Sequence, residues 1–297
     1  MTSNPSYQPT PRDTELLRVI ELLSPTAEQI FQWSQTFEKP ITPFSDIGDL
    51  RTRLKKLHAA GLVRRWRLAI ESQGVAPYYY KLSLEGHRTL YGKGAKPKRS
   101  RSFSAIGLSL HTHTKALADF IVHTKVAAHR VGASLTDAYS ENEYCISVDE
   151  ESLKFDGRFT LLKSDVRRAY QVELDCSTES NLSAQSTDSI ARKIRILDAY
   201  DAQFEDARDP QRAITLFVCN RSPERVRHIL ETARNLVRNP NRSLIYGIYL
   251  PDYLATADSL TTACFLNHRE EPVALWPEKV SQATTHDVRT LSSASVM

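Results

Sequence analysis

The sequence predicts an α+β or α/β fold in two modules: a small helical unit closed by a hairpin, then a larger unit with a mixed central sheet. Three observations carry this expectation. Amphipathic helical repeats dominate the first ninety residues and are interrupted by one pair of β-rich runs. Beyond residue 105, strand-like and helical runs alternate, and two of them, 213–219 and 244–250, are continuously apolar in the manner of buried strands. The charge divides along the same line. Residues 1–103 hold 17 Lys/Arg against 9 Asp/Glu, although the net charge of all 297 residues is only +4.

The first helix is expected to open at Thr10, a good N-cap, with Pro11 at the first helical position and Asp13 in the first turn. Leu16, Leu17, Ile20 and Leu23 form its apolar stripe. A second helix opens at Thr26, where Gln29 completes a capping box. The third runs from Ser45 or Asp46 to Gly61 and turns Ile47, Leu50, Leu54 and Leu57 inward. Strands follow at 62–67 and 78–82, joined by a loop around residues 74–77, and Ser83 caps a short closing helix. Three helices and a two-stranded wing are the order of a winged helix-turn-helix.

In that arrangement the third helix enters the major groove of double-stranded DNA and the wing touches phosphate. The residues placed to do so are Arg51, Thr52, Lys55 and Lys56 on the helix, and Arg64, Arg65 and Arg67 on the wing. Basic groups belong there because neutralising phosphates releases counterions. Arg53 lies nearer the apolar seam, where it covers core instead. Residues 92–104 form a basic linker in which Lys98 and Arg99 would track the backbone. The bland alternative for such lysines is a solvated helix face, and winged helices also serve as protein-interaction modules.

The second module begins with a helix over 108–131, followed by strand-like runs at 134–141, 144–148, 153–162 and 169–174. A helix at 188–200, the strand 213–219, a helix at 223–237 and the strand 244–250 complete it. Helix, antiparallel strands, helix, strand is the αβββαβ order of the nuclease core known by its PD-(D/E)XK motif. Its carboxylates have counterparts here. Asp156 and Glu173 are seventeen positions apart, enough for a hairpin to set them side by side, and Asp175 shares a strand face with Glu173. Carboxylates that converge repel one another unless a divalent cation lies between them. Asp156, Glu173 and Glu141 are therefore the expected metal ligands, for Mg²⁺ or Mn²⁺, with no organic cofactor.

The usual motif has a lysine where this chain has Asp175. Lys193, on the inward edge of the next helix, is the candidate substitute that would orient water. The alternative is a snorkelling side chain paired with Glu179 or Asp175. The catalytic set so defined is Asp156, Glu173, Asp175 and Lys193. His111 and His113 are two apart and make no chelating pair on a helix, but His113 would point toward the carboxylates.

Other classes are excluded. The chain contains no apolar run of eighteen residues, so no membrane span is expected. Residues 1–10 lack the apolar core of a secretory signal. The four cysteines show no paired spacing, which argues against a zinc ribbon or disulfide framework and fits a cytoplasmic protein. Residues 278–297 lack apolar periodicity and are expected to be a disordered tail. The expected divisions are therefore 1–91, 92–104, 105–277 and 278–297.

Over residues 10–277 the chain resembles the replication-relaxation family of bacterial plasmids and mobile elements. The segments carrying the resemblance are Arg53-Leu54-Lys55-Lys56-Leu57, Leu82-Ser83-Leu84-Glu85-Gly86, His113, Glu141, Asp156-Gly157, and above all Glu173-Leu174-Asp175-Cys176-Ser177-Thr178-Glu179; Lys193 and Tyr200 match as well. Phe155 stands where the family pattern usually has proline. The resemblance implies a role in replication or relaxation of plasmid-like DNA, with replication or mobilisation proteins as partners and a homodimer as a candidate assembly. It leaves open whether DNA is cut. Besides a DNA-binding protein with a metal-dependent endonuclease-like domain, two other readings stand: a regulator whose nuclease-like domain is inactive and serves dimerisation or partner binding, and a protein-interaction adaptor.

Overall fold

A computed structural model describes residues 7–69, 75–97, 102–176, 189–204, 209, 212–240 and 244–277. Lys98, Arg99, Glu179 and the segment 278–297 lie outside the described residues.

Local chemistry sets the first three helices. In α1 (Pro11–Leu23) the Thr10 hydroxyl accepts from Asp13 N–H while the Asp13 carboxylate accepts from Thr10 N–H. The same reciprocal box between Thr26 and Gln29 starts α2 (Ala27–Ser34). Asp46 caps α3 (Ile47–Ala59), and Gly61 leaves it at φ +74°, a backbone conformation glycine adopts without penalty. The strands β1 (Val63–Arg67) and β2 (Tyr78–Leu82) pair antiparallel, and α4 (Leu84–Tyr91) closes the unit. Gly86 in α4 packs so closely on the chain entering β1 that a Cβ there would lie 2.1 Å from the Leu62 carbonyl oxygen. Leu16, Leu17, Ile20, Ile30, Leu50, Leu54 and Leu57 are buried in one core beneath the hairpin.

The larger unit is built on seven strands in the order β11-β10-β9-β8-β7-β6-β3. A long helix, α5 (His111–Arg130), precedes β3 (Ser134–Tyr139). Then β6 (Gly157–Lys163) pairs antiparallel with both β3 and β7 (Val166–Asp175). After α6 (Ile190–Asp201), β8 (Ile214–Cys219) joins β7 in parallel. After α7 (Pro223–Leu236), β9 (Ile245–Tyr249) joins β8 in parallel. A last helix, α8 (Leu250–Ala255), leads to the short antiparallel strands β10 (Phe265–Asn267) and β11 (Pro272–Val273). Alternation along the strands sends Tyr170, Val172, Leu174, Leu216 and Val218 to a core under α5 and α8. Phe217 and Cys219 face the opposite core, under α6 and α7.

Two expectations are refined. The runs at 144–148 and 153–162 are not successive strands of the sheet. Cys145–Val148 (β4) and Glu151–Lys154 (β5) form a separate hairpin, which buries Ile146, Val148 and Leu153 against α6. Strand β6 therefore starts only at Gly157, and β3 ends at Tyr139, so Asp156 and Glu141 stand just beyond strand ends.

The two units meet along α5. Gln29 Nε2 donates to Asp119 Oδ1 at 2.6 Å and to the Lys115 carbonyl at 3.1 Å, so the residue that completes the α2 capping box also ties the helix to α5. Ala69 N–H donates to His111 Nδ1 at 2.7 Å, and Ile106 N–H donates to the Tyr79 hydroxyl at 2.8 Å.

Candidate functional site

Charged groups gather at the carboxyl end of β7. Glu173 and Asp175 lie on its α6–α7 face and are 3% and 4% exposed. Buried carboxylates are costly unless paired, and both have cations. Lys193 Nζ, from α6, donates to Glu173 Oε2 at 2.6 Å. Arg225, in the first turn of α7, pairs with Asp175. The lysine expected as a substitute for the missing strand lysine thus reaches Glu173, and Asp175 is claimed by an arginine.

Asp156 sits opposite Glu173, as the hairpin spacing requires. Its N–H donates to the Val172 carbonyl at 3.0 Å and its Oδ2 accepts from Leu174 N–H at 2.7 Å. Carrying the β3–β6 register past Tyr139 and Arg158 brings Glu141 opposite Asp156 on the other side. Glu141, Asp156 and Glu173 therefore stand abreast on three adjacent segments.

His113 completes the group from the first turn of α5. One of its ring nitrogens, Nε2, lies 3.2 Å from Asp156 Oδ1, and the buried Nδ1 makes no hydrogen bond among the described residues. Burial pushes the imidazole pKa down. The hydrogen bond to Asp156 and the charges of Asp156, Glu141 and Glu173 outweigh that and hold it above the ordinary histidine value. His113, Glu141 and Asp156 each offer one ligand atom within 4.8 Å of the others. Glu173, also expected as a ligand, is the partner of Lys193 beside them.

The basic residues of the first unit divide by what holds them. Arg53 does cover the core: its Nε donates to Asp13 Oδ1 at 2.5 Å. Burial would raise the Asp13 pKa, but the bonds from Arg53, Thr10 and Tyr7 bring it net below the usual carboxylate value. Arg51 pairs at 2.6 Å with Glu28. Thr52, Lys55 and Lys56 project from α3 as exposed side chains. On the hairpin Arg64, Arg65 and Arg67 are exposed, and the guanidinium groups of Arg65 and Arg67 lie 4.7 and 4.9 Å from the Tyr78 ring centre. That stacking holds two cations on one side of the hairpin.

Sequence reasoning missed Arg225 and Arg158. The available signal for Arg225 was its place in the first turn of a helix that follows a parallel strand, above the strand ends where sites of α/β sheets form. For Arg158 it was an arginine two residues beyond Asp156, at the start of β6.

Fold and site together define an α+β protein with a basic helix-and-hairpin unit and an acidic, histidine-bearing group at the strand ends of a mixed sheet. The chain belongs to the replication-relaxation family, whose pattern matches residues 22–214. Membership supports a role in replication or relaxation. The match includes His113, Glu141, Asp156, Glu173, Asp175 and Lys193 but ends before α7 and Arg225. Comparisons with curated proteins and with solved structures give no match. Among the described residues no helix is long and apolar enough to cross a membrane.

Proposed function

We propose that the chain binds duplex DNA through a winged helix and hydrolyses a phosphodiester bond in it at a divalent-cation site. The observation that carries this reading is the convergence of His113, Glu141 and Asp156 within 4.8 Å beside the Glu173–Lys193 pair. The donor set suits a cation: two carboxylates match Mg²⁺ or Mn²⁺, and the imidazole favours Mn²⁺ of the two. A bound divalent ion would polarise a phosphodiester oxygen and lower the pKa of a water molecule.

The protein groups do the positioning. Leu174 N–H and His113 fix the two oxygens of Asp156. Lys193 orients Glu173 and would bring positive charge toward the phosphoryl oxygens, where negative charge builds as water attacks. Asp175 and Arg225 brace the strand end. In front, α3 would enter the major groove with Thr52, Lys55 and Lys56 toward the bases and phosphates, while Arg64, Arg65 and Arg67 would meet the backbone.

The test is nicking of supercoiled plasmid with Mn²⁺ or Mg²⁺ by wild type and by Glu173→Ala and Asp156→Asn. Metal-dependent nicking lost in both variants supports the proposal, and no nicking with either metal removes its hydrolytic part. A second reading has its own support. Because Glu173 and Asp175 are both engaged by cations, the larger domain would act as an inactive, regulatory partner of the DNA-binding unit. Salt-dependent DNA binding without nicking is the result it requires.

A further inference from the structure

We propose that Arg158 is a phosphate-binding residue, which takes the backbone phosphate of a nucleic-acid strand lying along the acidic row. The proposal rests on the reading above and adds the group that would hold the substrate. Arg158 lies on β6 opposite Tyr139 and Gln171, two residues beyond Asp156. Asp156 stands just before the strand, so the two backbones are about 7 Å apart, within an arginine's reach.

Arg158 as a residue is 9% exposed, and its buried Nη1 has no hydrogen-bond partner among the described residues. Nor does any described carboxylate form an ion pair with it. Asp156 has His113 and Glu173 has Lys193, and Glu141, the remaining acid of the row, forms no ion pair with Arg158. A charged donor left unmet inside a protein is unfavourable, so its retention calls for a partner that arrives from outside.

Geometry indicates which partner. The guanidinium lies 3.8 Å from the Tyr144 ring centre, a cation–π contact that holds the group without using its N–H donors. Arginine binds phosphate through two parallel N–H bonds. The carboxylates already in the row do not take this fork, whereas a phosphodiester brings two oxygens that no described residue supplies.

The full-length chain tests this with thymidine 3′,5′-bisphosphate and thymidine as probes. Wild type should bind the bisphosphate and be stabilised by it against heat, with no response to thymidine. Arg158→Met should weaken bisphosphate binding by about tenfold or more, with Arg158→Lys in between and Mn²⁺ affinity unchanged in both. Equal bisphosphate affinity in wild type and Arg158→Met overturns the proposal. So does a wild-type chain that responds equally to bisphosphate and thymidine, whether or not the variants fold. Titrating Mn²⁺ on the same samples separates the two ideas. Arg158-dependent bisphosphate binding without an Mn²⁺ site upholds the phosphate site and removes the metal reading. Mn²⁺ binding with Arg158-independent bisphosphate affinity does the reverse.

Discussion

Replacing Lys55 and Lys56 by glutamine gives the sharpest test of DNA recognition by α3. Both side chains are exposed, whereas Arg51 shares its charge with Glu28 and Arg53 is held by Asp13. Each phosphate neutralised in B-DNA contributes about 0.9 to the slope of log affinity against log salt. If both lysines contact phosphate, the double variant should flatten that slope by about 1.8. Over a fourfold rise in salt, the affinity lost should then be about tenfold smaller than for wild type. Arg51→Gln should change the slope by much less than one phosphate contact, because Glu28 already offsets its charge. The assay is fluorescence anisotropy of a labelled duplex across a salt series, with circular dichroism to verify folding. A double variant that is folded and keeps the wild-type slope would refute the assignment of this face to DNA.

Other consequences concern stability and pH. Asp13→Asn should cost about 3 kcal/mol, because the carboxylate is fully buried and Arg53 is only one-quarter exposed; equal chemical stability would refute the pairing. Its pKa lies below the ordinary 3.8, so the stabilisation is present above that pH and disappears as pH falls through the lower folded value. Acid titration of Asp13→Asn should lack that part of the wild-type stability loss. Arg225→Met should lower stability by about 3 kcal/mol by taking the guanidinium from a carboxylate 2% exposed, measured by urea unfolding. Gly86→Ala should destabilise by about 2 kcal/mol or more, because its Cβ meets the Leu62 carbonyl oxygen; an unchanged melting temperature would contradict that close approach.

Much of this structure is written in local chemistry. Thr10, Thr26 and Ser83 each start a helix through a side-chain cap, and such short-range signals survive in a single sequence. The pairing of Asp156 with Glu173 was legible for a related reason, since a hairpin fixes register through a short connection. What depended on distant chain segments was not. The β4–β5 hairpin turns away from the sheet because its apolar face packs on α6, a choice made by tertiary burial rather than alternation. Lys193 was visible as an unusual inward lysine, but its contact with Glu173 follows from how α6 crosses β7. Arg225 reaches Asp175 from fifty residues downstream, so no spacing in the sequence announces it. His113 was visible only through its place on a helix face and the family resemblance, and its pairing with Asp156 arises where α5 meets the sheet edge.

The proposed cation site is tested most directly by counting bound Mn²⁺ with electron paramagnetic resonance on the full-length chain. Wild type should show one class of saturable site, lost in Asp156→Asn and His113→Gln and retained in folded Asp175→Asn, whose carboxylate belongs to Arg225. Saturable Mn²⁺ binding that survives Asp156→Asn, or a wild-type chain that binds none, would contradict a metal centre built on His113, Glu141 and Asp156.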